Sequence, residues 1–546
     1  MDHHRPVRQT GTPTNPRQPT PPHHPTPTRQ PRAAHHPTTP HHPTPTRQPR
    51  ARANPKPGRF SEVLDYPALQ FLVESSPEPS PDELETILQT ALDCRGLDLN
   101  QAASLLQVRD GRGIERLLQV AGEVKQAIYG PRMVLFAPLY TSNHCSNACS
   151  YCGFRSDNTA MPRHRLSDQE VDDQVRCLLA QGHKRLLVLN GEARGSFEEI
   201  LHVLPRIYAV RWEGQGIRRI NVEIAPLEVE QFRLLSTQGI GTYTCFQETY
   251  DSSLYGLYHP RGPKADFAYR LDVMDRAMEG GIHDVGIGAL FGLAEYRAEV
   301  LALLEHARHL EQVWGCGPHT ISVPRLGPAP GAPLSRAVPH SVSDDQFKHL
   351  VAVLRLALPY TGIILSTRES STLRSELFRY GVSQVSAGSN TAPGGYQNAV
   401  GQGEEESRMQ FDPNHSERKD LMGTARQHDD GSQMQFALGD HRSLEQVIGD
   451  MVDQGFVPSF CTGCYRRGRV GQDFMDLAKP GLIRDYCLPN GLTSFAEYLE
   501  DFAGPSLRDR GYQLIRSLET QITPRGAENL RRNLAEITRG ERDVYV

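Results

Sequence analysis

The chain has 546 residues, 38% of them hydrophobic, and a formal charge of −5. It contains no run of about 18 apolar residues and no apolar N-terminal core of signal-peptide type, so neither a membrane span nor secretion is expected. Ten cysteines are too sparse for a disulfide scaffold, and six of them sit in two tight groups, which reads as metal binding in a reducing compartment: the cytoplasm, or an organellar matrix in a eukaryote.

Residues 1–58 hold 16 of the 41 prolines, 8 of the 22 histidines, and nine Lys or Arg against one acid, Asp2. Their charge is therefore about +8, which leaves about −13 on the rest. The eleven residues HHPTPTRQPRA run from His23 to Ala33 and recur from His41 to Ala51. Such proline density cannot bury a core, so residues 1–58 are expected to be a disordered, polyproline-like arm. Its paired histidines could sequester a divalent metal, and its arginines could bind anions or serve as an organelle address. The simplest reading is a dispensable tail.

Residues 59–130 read as a helical extension, with Ala102, Leu105 and Leu106, then Leu117, Leu118 and Val124, at helical intervals and a turn at Asp110, Gly111 and Gly113. Beyond it, eight short apolar runs alternate mostly with helix-length segments: Met133–Tyr140, Arg185–Asn190, Arg219–Ala225, Gly241–Gln247, Asp284–Gly292, His319–Leu326, Gly362–Thr367 and Val382–Ala387. One spacer shows the helical period directly, in Val171, Val175, Leu178 and Leu179. Strands alternating with helices imply a parallel sheet, and eight imply an α/β fold closed as a (βα)8 TIM-type barrel over residues 131–395; two misread loops would leave a partial barrel. A barrel should gather its chemistry just after the strands. Polar residues do close these runs: Asn190-Gly191-Glu192, Glu223, Gln247-Glu248, Gly292 and Glu295, Arg325, Arg368-Glu369 and Ser386 to Ser389. Residues 396–546 read as a mainly helical C-terminal domain, with a polar, flexible loop near 397–435 that has no assignable function. Neither a nucleic-acid nor a membrane partner is indicated.

Cys145, Cys149 and Cys152 form C-x3-C-x2-C after the first run. Three thiolates this close can bind one ion or three corners of a cluster. A structural zinc takes four ligands, whereas a 4Fe–4S cluster held by three cysteines keeps one iron open for catalysis. The second group, Cys461 and Cys464 in C-x2-C with Cys487 after 22 residues, has a plainer reading as a Cys3His zinc site with His441 as fourth ligand.

The first triplet, placed after the first strand of a (βα) barrel, resembles the radical S-adenosylmethionine (radical SAM) superfamily. There the open iron of the 4Fe–4S cluster chelates SAM, and one electron cleaves SAM to methionine and a 5′-deoxyadenosyl radical. The resemblance implies SAM contacts for Tyr151 beside the last cysteine, for Gly191 and Glu192 (a GGE motif with Asn190 in place of its first glycine), for Glu223, and for Gly288, Leu290, Gly292 and Glu295 (a G-x-I-x-G-x-x-E motif with Leu for Ile). The string Ser459-Phe460-Cys461-Thr462-Gly463-Cys464-Tyr465-Arg466-Arg467-Gly468-Arg469 narrows the resemblance to the radical SAM tyrosine lyases that mature the FeFe hydrogenase, as do Phe136–Tyr140, Gly241–Tyr243, Phe246–Tyr250, Gly317–Ser322 and Gly439–Ser443. It spans about residues 60 to 505. Gly463 stands where that family usually has alanine, the stretch Gln397–Gln435 is longer than its norm, and the arm is no part of it.

This resemblance implies cleavage of the Cα–Cβ bond of L-tyrosine to p-cresol and dehydroglycine, then formation of carbon monoxide and cyanide at a second C-terminal iron–sulfur cluster. That cluster would be held by Cys461, Cys464 and Cys487, with a labile extra iron that leaves with the diatomics and cysteine. His319 is the candidate ligand for that iron. Arg368, with Ser366 on the same strand face, is the candidate for the substrate carboxylate, with Arg325 as alternative; Gln247 and Glu248 would line the pocket. Either arginine could instead be an ion-paired strand cap. The implied partners are L-tyrosine, cysteine, a reductant such as ferredoxin or flavodoxin, and other hydrogenase maturases. The tyrosine lyase of thiamine synthesis shares the barrel chemistry but lacks the second cysteine group, which makes that group the discriminating feature. A non-catalytic iron–sulfur scaffold, and a lyase acting on another aromatic amino acid, are the remaining alternatives. Cys94, Cys177, Cys245 and Cys316 are expected to be buried structural thiols.

Overall fold

A computed structural model describes residues 58–396 and 433–545. The expectations for the arm before residue 58, and for the long loop except its last residues, fall outside the described residues.

The apolar runs form strands because both of their faces are covered, the pattern of a parallel sheet flanked by helices. In the second, Val188 and its neighbour Leu189, which point to opposite faces, are 0% and 6% exposed. Strands β1 (Arg132–Ser142), β2 (Arg185–Asn190), β3 (Arg219–Glu223), β4 (Tyr243–Thr244), β5 (Val285–Gly288), β6 (Thr320–Ser322), β7 (Gly362–Leu365) and β8 (Gln384–Ser386) pair in parallel and in chain order. β1 pairs with both β2 and β8, so the sheet closes into the expected eight-stranded barrel. Several strands are shorter than their apolar runs. Past β4 and β5 the ladder is reduced to single bridges, Glu248 with Ala289 and Phe291 with Arg325, as the chains diverge toward the C-terminal mouth.

The connecting helices obey the 3.6-residue period. Asp168–Ala180 buries Val171, Val175, Leu178 and Leu179, and its start is fixed by a reciprocal cap between Ser167 and Glu170. The N-terminal extension forms Phe60–Val63, Tyr66–Ser75, Pro81–Leu92, Leu99–Leu105 and Gly111–Tyr129. Asp110 caps the last of these by accepting from Gly113 N at 2.9 Å, so the two glycines of the expected turn already lie inside the helix. The extension is tied to the barrel by Tyr66, whose hydroxyl donates to Glu299 at 2.8 Å, and by Phe60, fully buried, whose N–H donates to Asp275 at 3.2 Å.

The C-terminal part is mainly helical, as expected, with one exception. Val457–Ser459 is a ninth strand, β9, parallel to the first three residues of β1. It delivers Cys461 to the mouth where the barrel strands begin, opposite the mouth reached by Cys145. Among the described residues no helix is long and apolar enough to cross a membrane.

Candidate active site

β1 ends in a register irregularity between Tyr140 and Ser142, and the chain leaves as the loop that carries Cys145, Cys149 and Cys152. Arg163 holds that loop by donating to the carbonyls of Asn143, Phe154, Arg155 and Asn158 at 2.6–3.3 Å. The end of β2 presses against it: a Cβ on Gly191 would stand 2.1 Å from the His144 carbonyl oxygen, so only glycine fits there. Ser146 N donates to Glu192 O at 2.9 Å, which completes the junction.

The three thiols line one cavity of ≈ 630 Å³ together with Tyr151, Gly191, Glu192, Glu223, Glu248, Lys264 and Arg270. Its charges are paired. Glu192 accepts from Arg270 at 2.8 Å and from Asn147 at 2.7 Å, and Glu248 accepts from Lys264 at 2.5 Å. Burial would push both carboxyls up; for Glu192, Arg270 and Lys264 outweigh it, and for Glu248, Lys264 and Arg270, so both are held below their ordinary value. The Tyr151 hydroxyl bonds His259 Nε2 at 2.7 Å, and burial, with help from Lys264, pushes that imidazole down to about 2, so the ring is neutral. Burial raises Cys145 to about 11 and also raises Cys149 and Cys152, so bound iron would be what holds them as thiolates. Among the described residues no three His, Cys, Asp or Glu are spaced for a single metal ion. Three thiols lining one cavity of this size are the donor set of a 4Fe–4S cluster with one iron left open.

A second cavity, of ≈ 1050 Å³, runs along the lumen and shares Tyr140, Tyr151, Cys152, Glu223 and Glu248 with the first. Ser366, Thr367 and Arg368 all line it; β7 ends at Leu365, so they stand on the turn that follows and not on one strand face, contrary to the expectation. The Arg368 guanidinium lies 3.3 Å from the centre of the Phe436 ring and forms no ion pair among the described residues. Leu290 lines this cavity too. Gly288 and Gly292 act through their lack of a side chain: a Cβ on Gly288 would stand 2.8 Å from the Phe246 ring, and one on Gly292 2.9 Å from Val338.

Three expected site residues are placed elsewhere. Arg325 is occupied by Glu369, at 3.0 and 3.2 Å, and by Asp344 at 2.8 Å, so it is the ion-paired strand cap and not a substrate ligand. Gln247 is buried but lines neither cavity, because Phe246 and Glu248 take the inward positions of the alternation; both of its amide atoms lack a partner among the described residues. Glu295 caps the helix Tyr296–Trp314 by accepting from Arg297 N and Ala298 N at 3.0 Å each, and pairs with Arg297 at 2.8 Å. Its carboxylate is spent on the helix, away from the cofactor cavity.

At the opposite mouth, Cys461, Cys464 and Cys487 line a cavity of ≈ 640 Å³ with His319. Cys464 and Cys487 are hydrogen-bonded to each other, which raises the first thiol and lowers the second. Burial pushes His319 down to about 4; Asp284 opposes this and Arg219, Arg185 and Arg132 add to it, so the imidazole is neutral and able to ligate. His441 is exposed and follows Asp440, whose N–H bonds Thr367 O at the far end of β7, so the zinc reading with His441 as fourth ligand fails.

Arg132, Arg185, Arg219 and Arg469 surround the same thiols. Arg132 Nε, Arg185 Nε and Arg469 Nη1 are buried and find no partner among the described residues. Orphaned donors are costly, and an anionic guest would satisfy them; a cluster with its bound sulfides and thiolates fits that requirement. These arginines escape a reading by strand ends alone, yet a signal exists: β1, β2 and β3 each begin with arginine at the mouth opposite the first cysteine loop. Gln435 and Phe436 escape too. Gln435 accepts from the Tyr140 hydroxyl at 2.8 Å and donates to Cys152 Sγ at 3.7 Å, although the segment leading to it reads as a featureless loop.

Residues 139–307 match the Radical SAM superfamily model and residues 322–457 the Biotin and Thiamin Synthesis associated domain. A crystal structure of HydG, a maturase of the FeFe-hydrogenase, matches with TM-score 0.80 and 40% identity over 88% of this chain and 100% of that one. HydG from Carboxydothermus hydrogenoformans matches with TM-score 0.70 and 36% identity over 86% and 97%. The 2-iminoacetate synthase of Salmonella typhimurium is 30% identical over 342 residues, 62% of this chain and 86% of its own. Barrel, cysteine loop and paired carboxylates thus define a radical SAM enzyme, a class that works with a 4Fe–4S cluster, SAM and a reductant. Within that class the chain belongs to the HydG family of hydrogenase maturases.

Proposed function

We propose that the chain cleaves L-tyrosine between Cα and Cβ to p-cresol and dehydroglycine, and converts dehydroglycine to carbon monoxide and cyanide for the FeFe-hydrogenase cofactor. The observation that carries this reading is one barrel with a triplet of thiols at each mouth and a cation-bearing lumen cavity at the first. The 2-iminoacetate synthases support the first half, because 2-iminoacetate is dehydroglycine.

Cys145, Cys149 and Cys152 are the proposed ligands of the first cluster, and Cys461, Cys464 and Cys487 of the second, with His319 on its labile iron. Cluster and SAM, when bound, supply a 5′-deoxyadenosyl radical after one-electron reduction. Glu192, Glu248, Lys264 and Arg270 offer paired charges to the amino, carboxylate and ribose groups of SAM, and Tyr151 and Leu290 a surface for adenine. Arg368 and Ser366 bind the tyrosine carboxylate, a task for which a planar guanidinium is suited. The closed lumen keeps water from a reactive primary radical. At the second mouth the buried arginines neutralise the negative charge of thiolates, cysteine carboxylate and cyanide. The paired charges of the first cavity argue against an inert scaffold, which would have no use for SAM contacts.

The test is anaerobic incubation of reconstituted protein with SAM, dithionite and tyrosine. Formation of 5′-deoxyadenosine and p-cresol in equal amounts is expected. Their absence, with the clusters assembled, overturns the lyase reading; cleavage of tryptophan but not tyrosine would move it to another aromatic substrate.

A further inference from the structure

Two loops pack over the backbone beside Cys149. Ala148 N donates to Arg261 O and Ser150 N to Tyr258 O, each at 3.0 Å, so residues 258–261 bracket that cysteine on one side. On the other side Leu334 N donates to Ser150 O at 3.0 Å. Beneath them Cys149 sits in a small apolar cluster with Tyr258 and Leu334. The outer faces are open to solvent. Leu257 is 69% exposed, an uncommon position for a large apolar side chain, and the Arg261 side chain is 68% exposed. Pro260, Pro333 and Arg336 are exposed beside them.

The charge of this face is unlike that of the rest. The segments 144–165, 252–266 and 333–340 hold six Lys or Arg and two Asp; Lys264 and Arg165 are neutralised by Glu248 and Glu199 of other segments, which leaves a net +2. The chain beyond residue 58 carries about −13 in total. A basic platform on an acidic body, centred on one exposed leucine, steers an acidic protein and gives it an apolar contact to settle on. Interfaces between electron-transfer partners are small, below about 1,200 Å², so two short loops suffice.

We propose that this platform docks a small acidic iron–sulfur protein that delivers the electron for radical formation. The proposal rests on the radical chemistry argued above. One electron leaves the reduced centre of the carrier and enters the cluster behind Cys149; no bond forms or breaks in that step, and no proton moves. Electron transfer slows steeply with distance, and these loops are where protein surface is bonded directly to the residues flanking a cluster ligand.

Leu257→Asp and Arg336→Glu, singly and combined, test this in the reconstituted full chain. Reduction of the first cluster is followed by stopped flow with a reduced acidic ferredoxin and, separately, with dithionite. Binding of the oxidised ferredoxin is measured by titration calorimetry. The expected result is weaker binding and a ferredoxin-driven rate lowered about tenfold or more at low salt, with the dithionite-driven rate unchanged. Added salt should lower the parent's ferredoxin rate toward that of the variants. An unchanged ferredoxin rate and affinity in the double variant overturn the proposal, and so does an equal loss with both reductants. Failure of the parent to cleave SAM with dithionite would instead strike at the radical chemistry itself.

Discussion

Arg368 and Glu223 face the same lumen with opposite charge, and each makes a separate prediction. Arg368 lacks an ion-pair partner among the described residues, and burial pushes its guanidinium below the ordinary value, so a carboxylate guest would be strongly favoured. Arg368→Gln should raise the KM for tyrosine about 10- to 100-fold, the worth of a charged hydrogen bond, while 5′-deoxyadenosine still forms without substrate. An unchanged KM would remove Arg368 from the substrate site. Glu223 is pushed up to about 7 by burial and by Glu248, against Lys264 and Arg368. In the unfolded chain it ionises near the usual value of about 4.3. Between those values only the folded state holds the proton, so the stability this group contributes is full below the lower value and is lost as pH rises through the upper one. Thermal denaturation of Glu223→Gln from about pH 5 to about pH 8 should therefore show a smaller loss of stability than the parent; parallel curves would contradict the shift. Residues of this kind are only half legible in a sequence. Ser366 and Arg368 are found by lying just past a strand end, although the turn there also brings in Thr367; alternation phased on Glu248 would have placed Gln247 outside. Arg325 and Glu295 are misread because a charged residue after a strand is equally suited to a ligand and to a helix cap, and only the neighbouring Glu369 or helix N-terminus decides.

At the scale of elements, the end of β2 carries the tightest constraint at the first site. Gly191→Ala would drive a methyl group into the His144 carbonyl and displace the cysteine loop. A misplacement of about 1 Å can cost about 10²-fold in rate, so SAM cleavage should fall by that order while the iron content of the first cluster persists. Retained cleavage at the parental rate would show that the junction tolerates a Cβ. The eight barrel strands are legible because each is an apolar run between helical periods. β9 is not: its three residues, Val457, Pro458 and Ser459, are too few to show a period, and proline argues against a strand. Its parallel pairing with the start of β1, before the point where β2 joins, exists only once the barrel is closed.

For the whole molecule, the separation of the two thiol triplets is the organising fact. Cys145 follows the C-terminal end of β1, whereas Cys461 follows a strand paired to its N-terminal end. The two groups and their spacing are plain in the sequence, but their placement at opposite mouths is not, because it depends on β9. The ring of arginines at the second mouth is a product of closure as well, since Arg132, Arg185 and Arg219 are 34 to 87 residues apart and meet only as the first residues of successive strands. The central claim is that each mouth performs its own half of the reaction. Paired replacement of Cys461 and Cys464 by alanine, followed by parallel assay of p-cresol and carbon monoxide, tests it most directly. Continued p-cresol with no carbon monoxide is predicted; carbon monoxide at the parental level, or loss of p-cresol from a folded protein with its first cluster intact, would contradict it.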